Sequence, residues 1–162
     1  MKKMVDWTLK NVPPSLNPSI LEVGSGNGSL LFALLKVGYT PTRICGVDYS
    51  EDAVKLATAI GSSKGEDASK IKFGVCDFLK DFPQALTAEE GGAGSGVWDL
   101  ILDKGTFDAM ALAEKEEGGR HPADVYPSRI AQILKPGGYF LIVCELTWFS
   151  FRVFGRNVEP LP

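Results

Sequence analysis

Strong metal ligands and disulfide partners are scarce in this chain of 162 residues, which holds one histidine and three cysteines. Cys45, Cys76 and Cys144 are odd in number and far apart, no Cys-x-x-Cys occurs, and His121 follows Gly118-Gly119-Arg120 and precedes Pro122. That spacing argues against both a zinc site and a disulfide framework. We therefore expect no metal, buried reduced thiols within strands, and His121 in a surface loop. Also missing is any apolar run near the roughly 20 residues that span a bilayer, so no membrane segment is expected. The first residues, Met1-Lys2-Lys3-Met4-Val5-Asp6-Trp7, lead into a helix-like pattern instead of an apolar signal core, which predicts a cytoplasmic protein. Basic excess is absent too: 17 Lys and Arg stand against 20 Asp and Glu, for a net charge of −3. A broad basic surface for nucleic acid is not expected. No internal repeat is visible.

What is present is an ordinary globular composition, 44% apolar and 23% charged, in a length that suits one domain over residues 1–162. Five short apolar runs, Ser19 to Val23, Arg43 to Val47, Ile71 to Cys76, Trp98 to Leu102 and Tyr139 to Cys144, carry apolar residues on both alternating sets. Strands covered on both faces have that pattern. Between them lie helical patterns at Ser29 to Val37, at Ser50 to Ile60 with Ser50 as N-cap, and at Ala123 to Leu134. Lys135-Pro136-Gly137-Gly138 ends the last helix and starts the fifth strand. The alternation predicts an α/β fold with a doubly wound, mostly parallel, Rossmann-like sheet. Glu89 to Gly96 and Glu114 to Arg120 read as loops, the first a glycine-rich insertion.

Ligands of such a sheet bind outside the carboxyl ends of its strands. The first strand ends in Glu22-Val23-Gly24-Ser25-Gly26-Asn27-Gly28, a turn with glycine at every second position before a helical run. Glycine lets the backbone take positive φ and approach a ligand closely at a helix N-terminus. The dinucleotide pattern Gly-x-Gly-x-x-Gly is not met, because Ser29 stands where its last glycine would be. Glu22 would repel a pyrophosphate and suits the amino group and sulfonium of S-adenosylmethionine. Asp48 follows Gly28 by 20 residues, the distance at which an acid meets ribose hydroxyls. Asp77 could accept from an adenine amine, and Phe78 or Tyr49 could pack on the ring. Asp103 closes the fourth run. Any one of these acids alone could equally be a strand-end turn or a helix cap. Four in phase, Glu22, Asp48, Asp77 and Asp103, define an acidic rim that complements a cationic donor.

Three motifs together, Leu21-Glu22-Val23-Gly24-Ser25-Gly26-Asn27-Gly28, Gly46-Val47-Asp48-Tyr49-Ser50 and Asp103-Lys104-Gly105-Thr106-Phe107-Asp108-Ala109, resemble the seven-strand S-adenosylmethionine-dependent methyltransferases. Within that family they look like the protein-lysine methyltransferases of translation elongation factor 1-alpha. The resemblance covers Trp7 to Cys144. It implies that Glu22 and the loop of Gly24, Ser25, Gly26, Asn27 and Gly28 hold the methionine part of the donor. Asp48 lies at the ribose and Asp77 and Phe78 at the adenine, with Tyr49 and Ser50 also counted among the donor-binding residues. Asp103 lies beside the methyl group and orients the acceptor amine. The resemblance also implies an N-terminal lid and two further strands, the seventh inserted antiparallel between the fifth and sixth. Residues 145–154 offer at most one such strand, so a sheet truncated after strand five is expected, its fifth-strand edge exposed unless the aromatic tail covers it. The alternatives are a methyltransferase for RNA or a small molecule, and an inactive donor-binding protein. A nicotinamide oxidoreductase is disfavoured by Glu22 and Ser29.

Overall fold

Residues 1–83, 97–113, 121–143, 148–154 and 157–160 are described by the computed structural model, the last two segments by backbone alone. The strands are β1 (Ile20–Val23), β2 (Ile44–Asp48), β3 (Lys72–Val75), β4 (Trp98–Lys104), β5 (Leu134–Val143), β6 (Trp148–Phe154) and β7 (Asn157–Pro160). Helices α1 (Lys2–Asn11), α2 (Ser29–Lys36), α3 (Glu51–Lys64), α4 (Glu66–Ser69), α5 (Thr106–Leu112) and α6 (Pro122–Ile133) precede or connect them. The sheet runs β3-β2-β1-β4-β5-β6-β7. Its first five strands are parallel, as the alternation of strand and helix predicts. Strand order reverses between β1 and β4, and the crevice at that switch point lies at the carboxyl ends of β1, β2 and β4.

The period-two alternation of each strand divides the core between the two faces of the sheet. Leu21, Val23, Val47 and Ile101 pack with Tyr126, Ile130 and Ile133 of α6, while Ile20, Ile44, Leu100 and Leu102 pack with Leu30, Leu31 and Leu34 of α2 and Met4 and Val5 of α1. In parallel register Val23 stands opposite both Val47 and Asp103, which aligns the strand ends. No helix among the described residues is long and apolar enough to cross a membrane.

Several expectations need correction. β3 is not covered on both faces: it is the edge strand, and Val75 is 56% exposed. Two antiparallel strands, not at most one, follow β5, and β6 pairs directly with it, so the fifth-strand edge is covered. Beyond β5 the sheet order follows the chain order, so among the described residues no strand inserts between the fifth and the sixth. β5 begins at Leu134, and the register shift opposite Trp98 to Leu100 absorbs Lys135-Pro136-Gly137-Gly138 as an irregularity inside the strand. His121 is the N-cap of α6: its Nδ1 accepts from the Ala123 amide at 3.2 Å, and Asp124 accepts in return from the His121 amide. Cys45 and Cys76 are buried free thiols, Cys76 one residue beyond β3, and burial raises them to about 12 and about 11. Cys144 and the two expected loops lie outside the described residues.

Candidate donor-binding site

The chain leaves β1 through three left-handed glycines, Gly24, Gly26 and Gly28, at φ 68°, 52° and 74°. The Gly24 and Ser25 amides donate to the Val47 carbonyl at 2.8 and 2.9 Å, laying the loop across the end of β2. The three glycines do different work. A Cβ on Gly24 would stand 1.8 Å from Thr106 Oγ1, and one on Gly28 would meet the Phe73 ring at 2.6 Å. Those two allow close packing within the protein. A Cβ on Gly26 would meet nothing within 4 Å, so this glycine alone leaves space open to a ligand.

Beside the loop lies a cavity of about 390 Å³ lined by Gly24, Asp48, Tyr49, Asp77, Phe78 and Thr106, with Ala109 and Met110 of α5 forming an apolar wall. A larger hollow, about 660 Å³, opens beside edge strand β3 as far as Pro83, and holds none of the expected acids. The switch-point cavity is therefore the candidate site. Asp48 is buried, and its carboxylate accepts from the Gly26 amide and the Ser50 amide, both at 2.9 Å. It holds the loop as well as facing the cavity, and two accepted bonds leave lone pairs for hydroxyl groups. Tyr49 is 82% exposed and lines the cavity. Asp77 is partly exposed, accepts from Leu79 N at 3.2 Å and pairs with Lys80 at 2.9 Å, an interaction that lowers its pKa.

Glu22 is 1% exposed, and its Oε2 has no hydrogen-bond partner. Burial raises its carboxyl to about 8, the Lys104 ammonium restrains that rise, and the Asp103 and Asp48 carboxylates add to it. Ser25 Oγ, in the loop itself, is buried and unpartnered too. Two orphaned acceptors at one glycine loop are what a ligand carrying N–H donors and positive charge would satisfy, so the residues present fit S-adenosylmethionine.

Other expected site residues serve the fold. Ser50 Oγ accepts from Ala53 N at 3.3 Å and caps α3. Asn27 Oδ1 accepts from the Ser29 amide and hydroxyl at the start of α2. The Phe78 ring packs against Tyr126, with centroids 5.4 Å apart, and Phe78 also lines the cavity, where Tyr49 is the more exposed aromatic residue. Asp103 requires the largest revision. It is fully buried, with Oδ1 accepting from Thr106 N at 2.7 Å and Oδ2 from Phe107 N at 3.0 Å and the Tyr126 hydroxyl at 2.6 Å. Like Glu22, Ser25 and Gly26, it is not among the residues that line the cavity; the turn at Gly105 folds the α5 amides back onto its carboxylate. Burial raises it to about 6, while the three donors oppose the rise. Residues that sequence reasoning passed over are Thr106, which lines the cavity, Tyr126, and Arg129, whose Nε donates to Phe78 O at 2.8 Å while its guanidinium lies over Phe82 at 3.9 Å. The signal for Tyr126 was its place with Ile130 and Ile133 on one helical stripe, since a tyrosine on a buried face must find a partner for its hydroxyl.

Residues 15–147 match a family described as methyltransferase domain. Protein-lysine N-methyltransferase efm4 of Schizosaccharomyces pombe is 42% identical over 158 residues, covering 90% of this chain and 62% of the relative. EEF1A lysine methyltransferase 2 of Homo sapiens is 34% identical over 148 residues, covering 91% of this chain and 56% of the relative. The chain thus spans about three fifths of the length of these curated relatives. Among solved structures, the YcgJ protein of Bacillus subtilis superposes with a TM-score of 0.61 at 17% identity, over 88% of this chain and 50% of that one. Geranyl diphosphate C-methyltransferase of Streptomyces coelicolor, solved with S-adenosyl-L-homocysteine, gives 0.59 at 15% identity, over 87% and 44%. These likenesses show a shared fold.

Proposed function

We propose, from the premise that this chain belongs to the methyltransferase-domain family, that it is the donor-binding core of a protein-lysine N-methyltransferase acting on translation elongation factor 1-alpha. The observation that carries the donor assignment is the pair of orphaned acceptors, Glu22 Oε2 and Ser25 Oγ, at the glycine loop. The lysine assignment is supported by the fission-yeast relative, whose name specifies protein-lysine methylation, and the elongation-factor assignment by the human relative, whose name specifies EEF1A lysine methylation, together with Asp103-Lys104-Gly105-Thr106-Phe107-Asp108-Ala109 at the end of β4. A cytoplasmic location accompanies that substrate, and neither nucleic acid nor membrane is a proposed partner.

S-adenosylmethionine supplies, when bound, an electrophilic methyl carbon on sulfur. The residues of the chain bind and orient. Glu22, Ser25 and the open face of Gly26 would hold the amino-acid end, Asp48 the ribose hydroxyls, and Asp77 with Tyr49 the adenine. An acceptor lysine must arrive neutral, although its ordinary pKa is about 10.4. The apolar wall of Ala109 and Met110 favours the neutral amine by excluding water from it. Thr106 would face the donor from the fourth-strand turn, with Asp103 holding its amide from behind. Positioning carries most of the rate effect, of order 7–11 kcal/mol for well-oriented reactants.

Calorimetric titration with S-adenosylhomocysteine and with NAD tests the donor reading. Binding of the first alone is expected, and binding of NAD alone would overturn it.

A further inference from the structure

The cavity wall formed by α5 is unusual in how it is held. This seven-residue helix has no fully buried residue, with Phe107 and Met110 only partly buried against the core. Apolar packing alone therefore leaves its position under-determined, and polar anchors at its first turn fix it. The Asp103 carboxylate holds the Thr106 and Phe107 amides. The Thr106 hydroxyl donates to Val23 O at 2.9 Å, at the exit of β1, and stands where a Gly24 side chain would be. On the far side, the Tyr126 hydroxyl from α6 donates to Asp103 Oδ2 at 2.6 Å. Tyr126 is 1% exposed, lines no part of the cavity, and is clasped by Phe78, Phe107 and Phe140.

We propose that Tyr126 is a positioning residue for the donor site, acting through a continuous chain of hydrogen bonds from its hydroxyl to Asp103, from Asp103 to the first turn of α5, and from Thr106 to the entry of the glycine loop. Asp103 has one orientation that serves both α5 amides, and the Tyr126 hydroxyl selects it. With the hydroxyl gone, the carboxylate is a buried anion short of one donor, and the turn that sets Thr106 against Val23 and Gly24 loses its fixed geometry. The inference rests on the reading that this cavity takes the donor.

The test measures the dissociation constant for S-adenosylhomocysteine by calorimetry, with thermal melting alongside, for wild type, Tyr126→Phe, Thr106→Val, Thr106→Ser and the double variant Tyr126→Phe/Thr106→Val. Tyr126→Phe and Thr106→Val are each expected to weaken binding by at least about fivefold. Thr106→Ser, which keeps the hydroxyl, recovers most of the affinity that Thr106→Val loses. The double variant is weaker than wild type by less than the product of the two single effects, because both cut one chain. A Tyr126→Phe protein with a lowered melting temperature and wild-type affinity would overturn the proposal. If Tyr126→Phe fails to fold, equal binding by Thr106→Val and Thr106→Ser would overturn it instead. A wild-type protein that does not bind the ligand removes the donor reading itself, and the inference with it.

Discussion

Protonation of Glu22 offers the sharpest perturbation of the donor site. Its carboxyl is buried, one oxygen has no partner, and burial raises it to about 8. At pH 7 a group with that value is about nine-tenths protonated in the ligand-free protein. An opposite charge within about 4–6 Å typically lowers a carboxyl by 1–3 units, so a bound ammonium or sulfonium would return Glu22 to roughly 5–7. Binding at pH 7 then expels about 0.4–0.9 proton from Glu22, and the number falls to nearly zero at pH 9.5, where the carboxyl is already ionised. Affinity rises accordingly as pH climbs from the ligand-bound value, roughly 5–7, through about 8, by a limiting factor of ten to a thousand. The assay is calorimetry with S-adenosylmethionine in phosphate and in Tris, since the buffer dependence of the apparent enthalpy counts protons. The donor's own amine also titrates in this range. The decisive quantity is therefore the difference between wild type and Glu22→Gln, which cannot release the proton. Equal proton counts for the two proteins at pH 7 would refute the reasoning.

The same carboxyl makes ligand-free stability depend on pH. Because its folded value lies above the unfolded one, its contribution is fully present below about 4.5 and is lost as pH rises through about 8. Thermal melts should fall across that window in wild type and flatten in Glu22→Gln, and an unchanged slope would argue against a buried, unpaired Glu22. Asp48→Ala should weaken S-adenosylhomocysteine binding by about 1.5–3 kcal/mol, the scale of hydrogen bonds to a charged group. It should also lower the melting temperature, since the Gly26 and Ser50 amides lose their acceptor. An unchanged dissociation constant with native circular dichroism would remove Asp48 from the site. Gly26→Val should abolish binding, because the side chain would occupy open space and strain a backbone at φ 52°. Retained affinity would make the loop merely a turn.

The parallel half of the sheet was legible because its strands are short apolar runs separated by helical periodicity, and β1, β2 and β4 end at acids that mark the crevice. The N-cap role of Ser50 followed from its position before Glu51-Asp52 and is seen in its bond to Ala53 N. The strands after β5 were less legible, since residues 148–160 contain a proline, an arginine and a Gly-Arg pair that read as one broken segment. Residue type could place Asp103 at a strand end without telling which way its carboxylate turns. That was decided by the left-handed Gly105, at φ 91°, which brings the α5 amides back to it. The separate tasks of Gly24, Gly26 and Gly28 were likewise hidden, because they depend on Thr106 and Phe73, distant in sequence.

The central claim is tested most directly by incubating the purified protein with isotopically labelled S-adenosylmethionine and elongation factor 1-alpha, then mapping the label by peptide mass spectrometry. Methyl groups on lysine of the factor are expected, with label reduced in Asp48→Ala and absent in Gly26→Val. Label transferred to RNA while the factor stays unmodified, or equal transfer by wild type and Gly26→Val, would contradict it.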